Sequence, residues 1–123
     1  MSKFFKLLVA SVIAIFAMSS LTACSNSDPI DMTTIAAVID VRTPDEFASG
    51  HLDGALNIDI QGSAFATEIG ALDKSANYVI YCRSGNRAGQ AVTYMQDNGF
   101  TGVLTNAGSV DEASSATGIA VVQ

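Results

Sequence analysis

Tyr78-Val79-Ile80-Tyr81-Cys82-Arg83-Ser84-Gly85-Asn86-Arg87-Ala88 changes character abruptly at its cysteine. The four residues before it are aromatic or β-branched, the composition of a short strand buried in a parallel sheet. After it come small and polar residues with two arginines. From Ala88 the apolar positions Ala88, Ala91, Val92 and Met95 fall at helical spacing, and Asn98-Gly99 supplies a C-terminal stop. Strand, tight loop and helix follow one another directly. The backbone N–H groups of residues 83 to 88 can therefore converge on the Cys82 sulfur at the positive end of a helix, where an anion is favoured.

That placement bears on chemistry because the thiolate is the nucleophile, and an ordinary cysteine thiol of pKa about 8.5 is mostly protonated at neutral pH. Helix amides and two guanidinium groups favour the charged form. The competing reading is a small buried hydrophobe beside a strand. Five polar or flexible residues containing two arginines are unusual company for an inert core cysteine, so Cys82 reads as a nucleophile in an anion-binding loop, Arg83, Ser84, Gly85, Asn86, Arg87 and Ala88.

Upstream, Val38-Ile39-Asp40-Val41 is mostly apolar and suits a strand covered on both faces. Thr43-Pro44-Asp45-Glu46 is a helix start, with Thr43 as N-cap, Pro44 at the first helical position and Glu46 as capping-box partner. Phe47 is expected to point into the core. Gly50 and Gly54 mark turns, Ala55 to Ile58 reads as a second short strand, and Gln61 to Leu72 as a covering helix and loop. His51, the one histidine of the chain, is a candidate general base; far in sequence from Cys82, it reads better as a residue holding its turn by hydrogen bonds. Asp40, Arg42 and Glu46 read as an ion-pair network fixing the loop end of the sheet.

The chain has 123 residues and a net charge of −6. Lys3 and Lys6 precede the apolar stretch Leu7 to Met18, short for a transmembrane helix and shaped like a secretory signal. The stretch leads into Leu21-Thr22-Ala23-Cys24, which resembles the lipobox of bacterial lipoproteins. The resemblance implies cleavage before Cys24 and acylation of that cysteine. It points to the bacterial cell envelope at the periplasmic face, with Ser25 favouring the outer membrane; ordinary cleavage giving a soluble periplasmic protein is the alternative. Ser25 to Thr34 is a polar tether reaching at most roughly 35 Å at ~3.3–3.6 Å per residue. The expected organisation is signal peptide 1–23, lipidated tether 24–36 and one domain 37–123.

Cys24 and Cys82 are the only cysteines. With Cys24 lipidated, Cys82 has no partner in its own chain. That count argues against a structural disulfide, a CxxC redox centre or a zinc site, and no metal or cofactor is expected. Beyond Cys24 only Arg42, Lys74, Arg83 and Arg87 are basic, against twelve acidic side chains, so nucleic-acid binding is not expected. Two of those cations sit in the Cys82 loop, a local attractor for small anions.

Val38-Ile39-Asp40-Val41-Arg42, Pro44-Asp45-Glu46-Phe47, Gly50-His51-Leu52-Asp53-Gly54-Ala55-Leu56-Asn57-Ile58 and the Cys82 loop, followed by Gly99-Phe100, Val103-Leu104 and Ala107-Gly108, together resemble the single-domain rhodanese-like sulfurtransferases in order and spacing. The resemblance covers roughly Val38 to Val122. It implies an α/β, rhodanese-like fold with a central, mostly parallel sheet and helices on both faces. It also implies transfer of a sulfane sulfur, from a donor such as thiosulfate to a thiophilic acceptor such as cyanide or a thiol, through a persulfide on Cys82. In this reading Arg83 and Arg87 steer the anionic donor, Arg87 and the loop amides stabilise the sulfur anion, and Arg83 points outward. Cysteine phosphatases and some arsenate reductases share the architecture but hold five residues between cysteine and arginine; here only Arg83, Ser84, Gly85 and Asn86 intervene before Arg87. A noncatalytic binding module on the same scaffold is the further alternative, and the sequence names no protein partner. The chain departs from the family at Ala107-Gly108, where a double glycine is usual, and in the Ser-, Ala- and Thr-rich segment Val110 to Gly118, where a tryptophan is missing. These departures put the packing of the last helix in question.

Overall fold

The computed structural model describes residues 29–123. At its centre lies strand β4 (Asn77–Tyr81), whose side chains from Tyr78 onward are buried on both sides. Alternation along the pleat sends Tyr78 and Ile80 into one core, and Val79 and Tyr81 into a second on the opposite face. The neighbouring strand β1 (Ile35–Asp40) divides in the same way: Ile39 faces the first core and Val38 the second. Strands β3 (Leu56–Asn57) and β5 (Leu104–Asn106) complete a parallel sheet of order β3-β1-β4-β5. Ile39 stands opposite Ile80 and Asp40 opposite Tyr81, so the two central strands end level with each other.

Two helices cover the first face. Helix α2 (Phe65–Gly70) buries Phe65 and Ile69, and α3 (Asn86–Asp97) buries Ala88, Ala91 and Met95, the 3.6-residue stripe read from the sequence. The second face is closed by α4 (Val110–Thr117) and an antiparallel ribbon of β2 (His51–Leu52) with β6 (Val121–Val122). Leu52 and Ala113 are both fully buried there. The Tyr81 hydroxyl crosses this core to accept a hydrogen bond from the Leu52 amide at 3.0 Å. This is the α/β architecture with helices on both faces that the sequence implies.

The last helix forms despite its small residues. Ser109 and Glu112 make a reciprocal capping box, and Gly118 at φ +74° ends the helix. The Ser114 hydroxyl donates to the Ile119 carbonyl at 2.6 Å and the Thr117 hydroxyl to the Ala113 carbonyl at 2.7 Å, fixing the exit toward β6.

Two expectations, for Phe47 and for the N-terminal edge of the domain, meet a different structure. Phe47, on the short helix α1 (Pro44–Ala48), joins neither buried cluster; its ring stacks on His51 at 3.7 Å and 11°. The covering helix and loop expected over 61–72 are present, the helix being Phe65–Gly70, preceded by a turn closed by the Gly62 N–H donating to the Asp59 carbonyl. The ordered domain also reaches further toward the N-terminus than residue 37. Ile30, Met32 and Ile35 pack on the second core, and the Ile30 amide donates to the Ala116 carbonyl at 2.9 Å. Residues 1–23 and Cys24 lie outside the described residues, and no described helix is long and apolar enough to cross a membrane.

Candidate active site

Parallel strands deliver their C-terminal ends to one edge of a sheet, and loops leaving that edge gather there. Cys82 is the first residue beyond β4, and its amide is fixed by donating to the Gly108 carbonyl at 2.9 Å, beyond the end of β5. Its side chain is fully buried beneath the loop. The Gly85 amide donates to Sγ at 2.9 Å and the Ala88 amide at 3.4 Å. Of the six amides that could converge on the sulfur, these two do.

The local reason is a helix start without a conventional cap. Gly85 occupies the N-cap position of α3, in the left-handed conformation at φ +97°, and no side chain caps the helix. Ala88 is the third helical residue, whose amide a serine, threonine or aspartate cap normally receives. Here the Cys82 sulfur takes that role from outside the helix. Amides aimed at one atom from a helix terminus favour negative charge on that atom. Only glycine fits at 85: beyond the sign of φ, an added Cβ would lie 3.3 Å from the Gly108 Cα.

Asn106, at the end of β5, was not singled out by the sequence. Its Nδ2 donates to the Gly85 carbonyl at 2.8 Å, while its Oδ1 accepts from the Gly108 amide at 3.0 Å. It thus ties the loop to the neighbouring strand. A polar side chain at the C-terminal end of the strand beside the one that leads into Cys82 was the available signal. A groove of about 610 Å³ runs along Ser84, Gly85, Asn106, Gly108 and Glu112, but Cys82 does not line it.

Arg83, Ser84 and Asn86 are exposed on the loop's outer surface. Arg87 turns away to helix α1, where its Nη1 and Nη2 bind Glu46 Oε1 and Oε2 at 2.8 and 2.9 Å. Hydrogen bonding from Arg87, more than the smaller contributions of Thr43, holds the Glu46 carboxyl down at about 2. The three residues read as one network therefore fall into two pairs. Asp40 and Arg42 form a separate, buried, forked pair with Nη2–Oδ2 at 2.7 Å. Arg42 also donates to the Gly50 carbonyl at 2.6 Å, and Asn57 Nδ2 donates to the Arg42 carbonyl at 2.9 Å, binding the end of β1 to the Gly50 turn and β3. His51 uses Nδ1 to donate to the Phe47 carbonyl at 2.8 Å and its ring face to stack on Phe47. These contacts fix a turn. Among the described residues no cluster of three or more His, Cys, Asp or Glu could hold a metal ion.

A buried cysteine at the end of a central parallel strand, capped by the amides of the loop that begins the next helix, defines an α/β domain built around a single thiol. Residues 24–116 match the rhodanese-like domain family, and the chain belongs to it. It is 32% identical over 74 residues to the thiosulfate sulfurtransferase PspE of Escherichia coli (strain K12), covering 60% of this chain and 70% of that protein. To the thiosulfate sulfurtransferase GlpE of Pseudomonas aeruginosa (strain LESB58) it is 37% identical over 70 residues, 57% of this chain and 62% of that one. The chain therefore spans a little under two thirds of the length of GlpE. Among solved structures, a rhodanese with anions from E. coli superposes with a TM-score of 0.57 at 29% identity, over 71% of this chain and 96% of that one.

Proposed function

We propose that this rhodanese-family sulfurtransferase moves a sulfane sulfur from a small anionic donor such as thiosulfate to cyanide or a thiol, through a persulfide on Cys82. The observation that carries this reading is the pair of amides, Gly85 and Ala88, aimed at the Cys82 sulfur. Relatives named thiosulfate sulfurtransferase support the choice of donor.

In the first step the Cys82 thiolate attacks the outer sulfur of thiosulfate. The new sulfur–sulfur bond forms as the old one breaks, and sulfite leaves with its electron pair. The persulfide carries one negative charge, which the loop amides stabilise as they do the thiolate. In the second step cyanide attacks the terminal sulfur, thiocyanate departs and the thiolate returns. Neither step needs a proton donor or acceptor at the sulfur, which agrees with the occupation of His51 by Phe47.

A cysteine phosphatase or arsenate reductase on the same scaffold is disfavoured by the four residues between Cys82 and Arg87, and by the engagement of Arg87 with Glu46. For location, Leu21-Thr22-Ala23-Cys24 supports export and lipid anchoring at Cys24. Purified protein beginning after Cys24 tests the activity. Thiocyanate formation that depends on thiosulfate, with no hydrolysis of a phosphate ester, is the expected result; the reverse pattern overturns the reading.

A further inference from the structure

Arg87 stands in the first turn of α3, beside the Cys82 loop, yet its guanidinium is engaged by helix α1. The Glu46 carboxylate grips both terminal nitrogens of the guanidinium. Glu46 is itself fixed from the other side, since its Oε1 accepts from the Thr43 amide at 3.4 Å and the Thr43 hydroxyl at 3.2 Å within the α1 capping box. The pair is only partly exposed, with side chains 20% and 28% accessible. Arg87 immediately precedes Ala88, whose amide reaches the sulfur. Of the loop's two cations, Arg83 alone has no acidic partner among the described residues.

We propose that Glu46 is a specificity-determining residue: by neutralising Arg87 it lowers the positive charge of the thiol loop and disfavours doubly charged oxyanions relative to sulfane donors of lower charge, such as organic persulfides. This rests on the sulfur-transfer reading for its choice of donors. The electrostatic part stands apart from it, because attraction to a dianion rises twice as fast with a nearby positive charge as attraction to a monoanion. A loop bearing two unpaired guanidinium groups holds sulfate or phosphate well. With one guanidinium masked, the same loop binds dianions weakly, thiosulfate among them, and a sulfane donor of lower charge meets less competition.

Glu46→Gln is the direct test, because glutamine also serves at the third position of a capping box and keeps a hydrogen-bond acceptor for Arg87. Protection of Cys82 from iodoacetamide by inorganic sulfate reads anion binding without requiring any turnover. In Glu46→Gln half-protection is expected at roughly three- to tenfold lower sulfate than in the wild type, and the double variant Glu46→Gln/Arg87→Gln should return it to the wild-type range. The apparent KM for thiosulfate should fall in the single variant, while kcat/KM for a singly charged persulfide donor changes by less. A merely structural Glu46 predicts the opposite sign, a loosened loop with weaker sulfate protection and a raised KM. Unchanged or weakened protection in a folded Glu46→Gln protein overturns the proposal. Stronger protection in a protein that transfers no sulfur overturns the function and leaves the charge-masking role standing.

Discussion

The Cys82 sulfur stands where a cap of helix α3 would stand, and in the proposed mechanism the same atom is the nucleophile, so both roles need the sulfur where it is. The Gly85 and Ala88 amides bond to sulfur, so the group that caps α3 is the group assigned the chemistry in the proposal. Cys82, its loop and the helix after it were legible because they are contiguous in sequence. The partner of Arg87 was not, since Glu46 lies 41 residues away and only the tertiary fold brings α1 alongside the loop. Asn106 escaped for the same reason, 21 residues beyond the carbonyl it holds. With Arg87 engaged by Glu46, the proposed donor steering rests on exposed Arg83. Arg83→Glu should raise the apparent KM for thiosulfate about three- to tenfold and reduce its sensitivity to salt, with a smaller change in kcat. Steady-state kinetics at low and high ionic strength measure both, and an unchanged KM removes Arg83 from donor recognition.

Among the elements, those specified by local rules were readable and those specified by packing were not. The capping box Thr43–Glu46 with Pro44 behind the cap starts α1 where its spacing says. The apolar stripe of α3 and the buried run of β4 likewise follow their periods. Phe47 misled because an aromatic residue on a short helix has two ways to leave water, the core or a neighbouring ring, and His51 provides the second. The junction between β4 and α3 depends on Gly85 alone for its reversal. Gly85→Ala places a side chain at φ +97° and 3.3 Å from Gly108, and should cost about 1–3 kcal/mol of stability. Turnover should fall further than stability, because the amide that bonds the sulfur at 2.9 Å is displaced. Thermal unfolding followed beside activity separates the two effects; wild-type activity in a stable Gly85→Ala protein contradicts the assigned role of the loop.

At the scale of the molecule, one parallel sheet separates two cores and brings the ends of β1, β4 and β5 to the same edge, where α1, the thiol loop and Asn106 meet. The fold class was legible through the family resemblance carried by the blocks from Val38 to Ile58 and the Cys82 loop, whereas the short β2–β6 ribbon and the packing of Ile30 and Met32 were not, being contacts between distant parts of the chain. The Glu46–Arg87 link between α1 and the loop also gives the domain an acid-sensitive seam. The Glu46 carboxyl, ordinarily near 4.5, is held at about 2, so its ionised form is favoured by the fold. Its stabilising contribution is full above about pH 4.5 and is lost as pH falls toward 2. Glu46→Gln should therefore flatten the stability profile between those values and leave its neutral-pH shape unchanged. Denaturant unfolding across the range checks this, and an identical acid slope in both proteins contradicts it.

In the proposed mechanism the transferred sulfur rests on Cys82 between donor and acceptor. Intact-mass spectrometry of the protein lacking Cys24, incubated with thiosulfate and no acceptor, tests it most directly, because Cys82 is then the only thiol and no second cysteine can resolve the product to an intramolecular disulfide. The expected result is the mass of one added sulfur atom, its stoichiometric loss to cyanide, and neither loading nor turnover in Cys82→Ser. A wild-type protein that forms thiocyanate from thiosulfate and cyanide while never carrying the extra sulfur would contradict it.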